Sequence, residues 1–255
     1  MKSTLAISVV TFVELARQKI VLLLIFLGFF LLGLSVLFTK LTFDERLRIL
    51  VHVGFGAIQI VLLLLALFVG GYSLHRELEK QTLFMVLARP LSRSKIFWGK
   101  FLGIFLVILF FHVVLFGIHY HLVGSVIKYP LRFVWAHLFL LIEIFCIAGV
   151  TFGVSAILKP PLAIGIGVSV WIVGYWLDDL IFFAKRAQMV FYELVAFFAK
   201  YLFPRLSIGS ELRGIYFLHE GTIVYWGGLH ALQIVLFPLI LLIIGEWVFL
   251  KKDLS

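Results

Sequence analysis

GGYSLHRELEKQTLFMVLARPLSRSKIFWGKFLG, residues 70–103, holds a basic and partly amphipathic stretch between two long apolar segments. The flanking segments, 51–73 and 101–123, contain no Asp, Glu, Lys or Arg. A helix rises about 1.5 Å per residue and the hydrocarbon of a bilayer is about 30 Å thick, so about 20 apolar residues make a span. Both segments meet that length, and 75–100 reads as a polar loop joining two membrane helices.

Composition extends the reading to the whole chain. Of 255 residues, 63% are hydrophobic, 14% are charged and 28 are Phe, far more apolar surface than one soluble core of this length encloses. The net charge of +9 is spread through short loops rather than gathered on one polar face, which argues against nucleic-acid binding. A single cysteine, Cys146, lies in an apolar run and allows neither a disulfide framework nor a cysteine metal cluster. The first charge-free apolar run begins at Ile20, is as long as a span and is followed by no small-residue cleavage pattern, so it reads as a retained helix.

Walking outward from the loop, spans are expected at 20–39, 51–73, 101–123, 133–158, from Pro160-Pro161 to Leu177 or a little beyond, and 222–250. The paired prolines fit a first helical turn, where no backbone donor is needed. Residues 1–19 place Leu5, Val9, Phe12, Val13 and Ala16 at helical spacing with Thr4, Thr11, Glu14 and Gln18 on another side, the pattern of an interfacial helix. Segments 189–203 and 208–218 are too short or too polar to span and read as interfacial or re-entrant helices. One membrane domain, 1–255, accounts for the chain.

Within the loop, Glu77 and Glu79 precede Thr82, a short apolar helix follows, and Ala88-Arg89-Pro90 leads through a Ser/Arg turn to Gly99-Lys100. This string, between spans of this length and order, resembles the loop between the second and third helices of ABC-2 type permeases, the membrane half of a class of ABC exporters. The resemblance implies an all-α fold of six transmembrane helices, an N-terminal interfacial helix, a cytoplasmic coupling helix between the second and third spans, and short re-entrant helices between the fifth and sixth. It implies that Glu77, Glu79, Thr82, Arg89 and Pro90 contact a separate ATPase chain, on which ATP and Mg would reside. It further implies a second permease, identical or paralogous, and an inner-membrane location with both termini cytoplasmic. The family often has Gly before the Thr, where this chain has Gln81. No G-x-x-x-x-G-K-[ST] phosphate loop occurs in the sequence, which fits ATP hydrolysis on another chain. Lys and Arg divide too evenly between the two sides to fix the orientation, and Lys185, Arg186, Lys200, Arg205 and Arg213 all fall in the long segment after the fifth span.

Ionisable groups inside spans cost about 2.5–3.5 kcal/mol each on insertion scales. Glu143, half-way along the fourth span, is the foremost of them. It either lines a translocation path, with His112 and His137 as neighbours, or is a buried carboxylate with a structural partner. Asp178 and Asp179 are expected at the outer end of the fifth span and Glu246 at the inner end of the sixth. His119 and His121 do not make a metal site on one helix, because side chains two residues apart point about 200° apart. Gly99-x-x-x-Gly103 and Gly149-x-x-x-Gly153 are spaced for close helix packing.

The apolar, aromatic interior favours a lipid-like or amphipathic cargo and leaves the substrate open. An accessory ABC permease supporting extracytoplasmic metalloenzyme or envelope assembly is the alternative within the family. An intramembrane enzyme using Glu143, His112 and His137 is the alternative outside it, although G-x-S-G, H-E-x-x-H and a paired aspartate signature are all missing from the sequence.

Overall fold

The computed structural model describes residues 2–41, 46–79, 92–123, 130–207 and 228–251, with side chains at all of these except 2, 46, 76–79 and 228–231. Among the described residues every regular element is a helix: α1 Lys2–Ala16, α2 Lys19–Leu41, α3 Arg46–Glu79, α4 Arg93–Val123, α5 Pro130–Ser155, α6 Pro160–Ala187, α7 Val190–Leu202 and α8 Gly228–Lys251. Six of them, α2 to α6 and α8, are long and apolar enough to cross a bilayer. The centre is formed by α3 and α5, which pack on each other; α3 also meets α2, α4 and α6, and α5 meets α4, α6 and α8. Outward, α2 exposes Leu22, Leu23, Phe26 and Phe30, and α6 exposes Leu162, Trp176, Phe182 and Phe183, as helices solvated by lipid do.

Helices extend beyond the apolar windows because neighbours satisfy the polar groups at their ends. The third span starts as a helix at Arg93 rather than near Phe101, with the Ser92 carbonyl accepting from the amides of Lys95 (3.0 Å) and Ile96 (3.3 Å). The fifth continues as helix to Ala187, past Asp178 and Asp179. Asp178 accepts from Arg205 Nε at 2.8 Å and from Ser207 Oγ at 2.6 Å, while Lys185 and Arg186 occupy the last turn and complement the helix dipole. Pro160 and Pro161 open α6 as expected, after Lys159 in an extended conformation.

The segment 189–203 forms α7 with Met189 and Phe203 as its caps. After Pro204 the chain turns back onto α6, where the Leu206 amide donates to the Gly174 carbonyl at 3.0 Å. Carbonyls at the end of a helix lack partners within it. In α7 those of Lys200 and Phe203 accept from Gln233 Nε2 of α8 at 3.4 and 3.0 Å. The second short helix expected, at 208–218, lies outside the described residues, and so does the expected coupling segment 77–86 except for 77–79, which end α3.

Helix α1 turns apolar residues outward, as an interfacial helix does, and seats its other side on α4. Leu5, Val9 and Val13 are exposed, whereas Ser8, Thr11 and Leu15 are buried. The cause is the glycine pair on α4: a methyl at Gly99 would stand 2.8 Å from Ile7 Cβ, and one at Gly103 would stand 2.5 Å from Thr11 Cβ. The side chains of Ile7 and Thr11 and the backbone beside them therefore press against α4, and Leu5, Val9 and Val13 are left for lipid. The second pair serves α8 in the same way, since a methyl at Gly149 would meet Pro238 Cβ at 2.7 Å and one at Gly153 the Leu241 carbonyl at 2.7 Å. Overpacking of such contacts costs about 1–3 kcal/mol. Gly153→Leu is expected to lower the melting temperature in detergent, and Gly103→Leu to release α1 and speed trypsin cleavage at Arg17 and Lys19 several-fold. Equal cleavage rates in Gly103→Leu and the wild type would remove the α1 seat.

Candidate functional site

Glu143 lies 2% exposed on α5, between α3 and α6. Gln59 of α3 donates from Nε2 to Glu143 Oε1 at 2.9 Å, and Tyr175 of α6 donates from its hydroxyl to Glu143 Oε2 at 2.9 Å. The Gln59 amide also donates to the Tyr175 oxygen, closing a ring of three side chains from three helices. Both carboxylate oxygens thus have neutral donors, the arrangement that lets an acid remain in a water-poor interior. Trp171, one turn before Tyr175, has its ring centroid 5.3 Å from that of the tyrosine with the planes tilted by 50°, and its indole N–H has no acceptor among the described residues. Gln59 and Tyr175 were missed by a reading that searched the spans for ionisable groups alone. The signal was present in Gln59, an amide in the middle of an otherwise apolar run.

His112 and His137 fall in a second cluster, joined there by His119. Between His119 and His137 the contact is Nδ1 to Nε2 at 3.2 Å, and His119 Nε2 donates to the Leu50 carbonyl at 3.3 Å. A carbonyl only accepts, so Nε2 carries the proton; in a neutral His119, Nδ1 is then the acceptor and His137 Nε2 the donor. His112 lies with its ring centroid 5.5 Å from that of His137, and its buried Nδ1 has no hydrogen-bond partner among the described residues. Phe55, Phe116 and Phe133 enclose the three imidazoles, and Phe55 stacks on His137 at 4.2 Å. His137 and Glu143 are six residues apart on α5, about 9 Å along the axis. The structure brings His112 and His137 together, and the bonds it shows for Glu143 run to Gln59 and Tyr175. Among the described residues no group of three or more His, Cys, Asp or Glu is arranged to hold a metal ion.

Of the coupling residues, Thr82, Arg89 and Pro90 lie outside the described residues, and Glu77 and Glu79 are described by their backbone alone, in the last turn of α3. The frame around the loop is described. Arg93 at the start of α4 donates from Nη1 to the Leu250 carbonyl of α8 at 3.3 Å, and Ser94 Oγ donates to Glu246 Oε1 at 2.5 Å. These bonds fasten the beginning of α4 to the end of α8. Lys100, expected to close a solvated loop, is instead buried beneath α1. It lines a cavity of about 20 Å3 with Glu14, Gln18, Tyr72 and Ser73. The Glu14 carboxylate is close enough to act electrostatically on the Lys100 ammonium.

Removing one member of the Gln59–Glu143–Tyr175 ring leaves buried donors unsatisfied, at about 1–3 kcal/mol per group. Glu143→Leu and Gln59→Leu are each expected to destabilise the protein in detergent. The double variant should lose clearly less than the two single losses combined, because it removes a donor together with its acceptor. Strict additivity in thermal unfolding would show that the two side chains do not interact.

Comparison with known proteins agrees with this architecture. No curated protein matches the chain. The family model described as ABC-2 family transporter protein matches residues 6–254, from the middle of the first turns of α1 to beyond the end of α8. The chain belongs to the ABC-2 transporter family and is a membrane permease of the ABC transporter class.

Proposed function

We propose that the chain is the path-forming subunit of an ATP-driven exporter whose ATPase is a separate polypeptide. The observation that carries this is membership of the ABC-2 family over residues 6–254 in a sequence that has no phosphate-binding loop. Two copies, or one copy and a paralogue, would face each other across a central path in the inner membrane. Residues 77–90 form the ATPase contact: Glu77 and Glu79 pair with basic groups of the partner, and Thr82, Arg89 and Pro90 shape the helix that docks. ATP and Mg bind on that partner, so the coupling face and both termini are cytoplasmic.

The geometry around the loop supports the reading. The end of α3 and the start of α4 are the two attachments of the loop. The same end of the bundle carries α1, seated on Gly99 and Gly103, and the end of α8, bonded to Arg93 and Ser94. A push on 80–91 is therefore received by four helices. For ATP to drive transport it must bind the partner more tightly in one permease conformation than in the other. Glu143 with Gln59 and Tyr175, and the His112–His137 pair with His119, then lie at the helix contacts that rearrange as the path switches.

Affinity purification of the tagged chain from its native host in mild detergent tests the proposal. An ATPase subunit is expected to accompany the wild type, and Glu79→Arg is expected to lose it while remaining monodisperse. Repeated isolation of the wild-type chain without an ATPase would overturn the reading.

A further inference from the structure

Where α6 turns into α7 the chain passes through Gln188 in a left-handed conformation (φ 50°, ψ 29°), and α7 packs back against α6. Between the two helices lies a groove of about 550 Å3 lined by Leu180, Phe183, Ala184, Tyr192, Val195 and Arg186. Its walls are apolar except at one end, where Arg186 stands; Lys185 precedes it in the last turn of α6 but is not part of the lining. Both cations are exposed, and among the described residues neither forms an ion pair, although Asp179 and Glu193 are close in sequence. Around the groove the surface is almost wholly hydrophobic: Phe182, Phe183, Val190, Phe191, Phe197 and Phe198 are all more than half exposed. A helix apolar on this many sides belongs in lipid rather than water.

The depth of the groove follows from helix length. With 28 residues α6 is about 42 Å long, and the hydrocarbon takes up about 30 Å of it. The residues from about 180 onward therefore stand at the headgroup level, on the side away from the 80–91 loop. This is also the side on which topology alone calls for few cations, since the termini and the loop occupy the other. Arg186 at the lip of an apolar groove, at headgroup depth and with Lys185 adding charge from the same turn, is complementary to a molecule with an acyl chain and an anionic head. Lys185 and Arg186 also offset the C-terminal dipole of α6, but that requires no groove beside them.

We propose that the groove between α6 and α7 binds an anionic phospholipid of the surrounding bilayer. The acyl chain lies along Phe183, Tyr192 and Val195, and the phosphate is held by the Arg186 fork with Lys185 as a second charge. The site anchors α7, whose only other described polar ties are the Gln233 bonds at its end.

The test uses the full-length chain, delipidated in mild detergent and titrated with phosphatidylglycerol, with phosphatidylcholine as the uncharged-head competitor, and bound lipid counted by native mass spectrometry. The wild type is expected to retain phosphatidylglycerol in preference to phosphatidylcholine. Arg186→Gln with Lys185→Gln should weaken phosphatidylglycerol about tenfold or more and erase the preference. Val195→Trp, which fills the groove and leaves the cations in place, should lower retention of both lipids. Equal retention of the two lipids by the wild type, or unchanged phosphatidylglycerol retention in both variants, would overturn the proposal. So would efficient cross-linking of Val195→Cys to a second copy with lipid retention unaltered, which would assign the groove to a protein interface.

Discussion

Inside the hydrocarbon of a bilayer no water is present to take up an unpaired polar group, and the six spans of this permease are arranged around that requirement. Glu143 is the group that imposes it most severely. Its two oxygens are met by an amide from α3 and a phenol from α6, so that three helices which could otherwise slide past one another on apolar surface share one polar point. Apolar contacts in lipid give little directional preference, because a leucine is solvated as well by an acyl chain as by another leucine. Register is set by groups like these.

A second constraint is how closely backbones approach. The glycine pairs of α4 and α5 each receive a different helix, α1 on one and α8 on the other. The outcome is that α4 and α5, which are antiparallel neighbours, carry on their outer sides the two elements nearest the chain's described ends. Arg93 and Ser94 then join α4 to α8 directly. The loop at 80–91 is thus attached to a part of the bundle where helices are locked together by both packing and hydrogen bonds, and Lys100 lies under α1 in the same region.

The number and order of the spans could be read from the sequence because hydropathy accumulates over about 20 residues and tolerates local error. Their ends could not, since a helix continues past the hydrocarbon wherever a neighbour satisfies its charges. Ser94 with Glu246 and Asp178 with Arg205 are pairs between residues far apart in sequence, invisible to any local window. On α1 the spacing separated an apolar side from a polar one but did not show the seat on α4, where the small residues Ser8 and Thr11 pack while the valines face out. Glu143 was legible as a costly group, but its partners were not, because an amide and a phenol in a span look unremarkable until the helices are assembled. Residues 77–90, the stretch most informative for the family, owe that to the resemblance of their pattern and not to any geometry described for them.

The continuity of α3 has a mechanical consequence. It is one helix of 34 residues from Arg46 to Glu79, about 51 Å long, with Gln59 bonded at its middle and its last turns at the loop. Gln59 lies 20 residues, or about 30 Å, from Glu79, so a rigid tilt of α3 about the polar ring would have its long arm toward the loop. A tilt of about 5° about that point carries the Glu79 end through about 2.6 Å and the Arg46 end about two-thirds as far in the opposite sense, about 1.7 Å. Movement is geared down from the loop side to the far side, and force is correspondingly geared up.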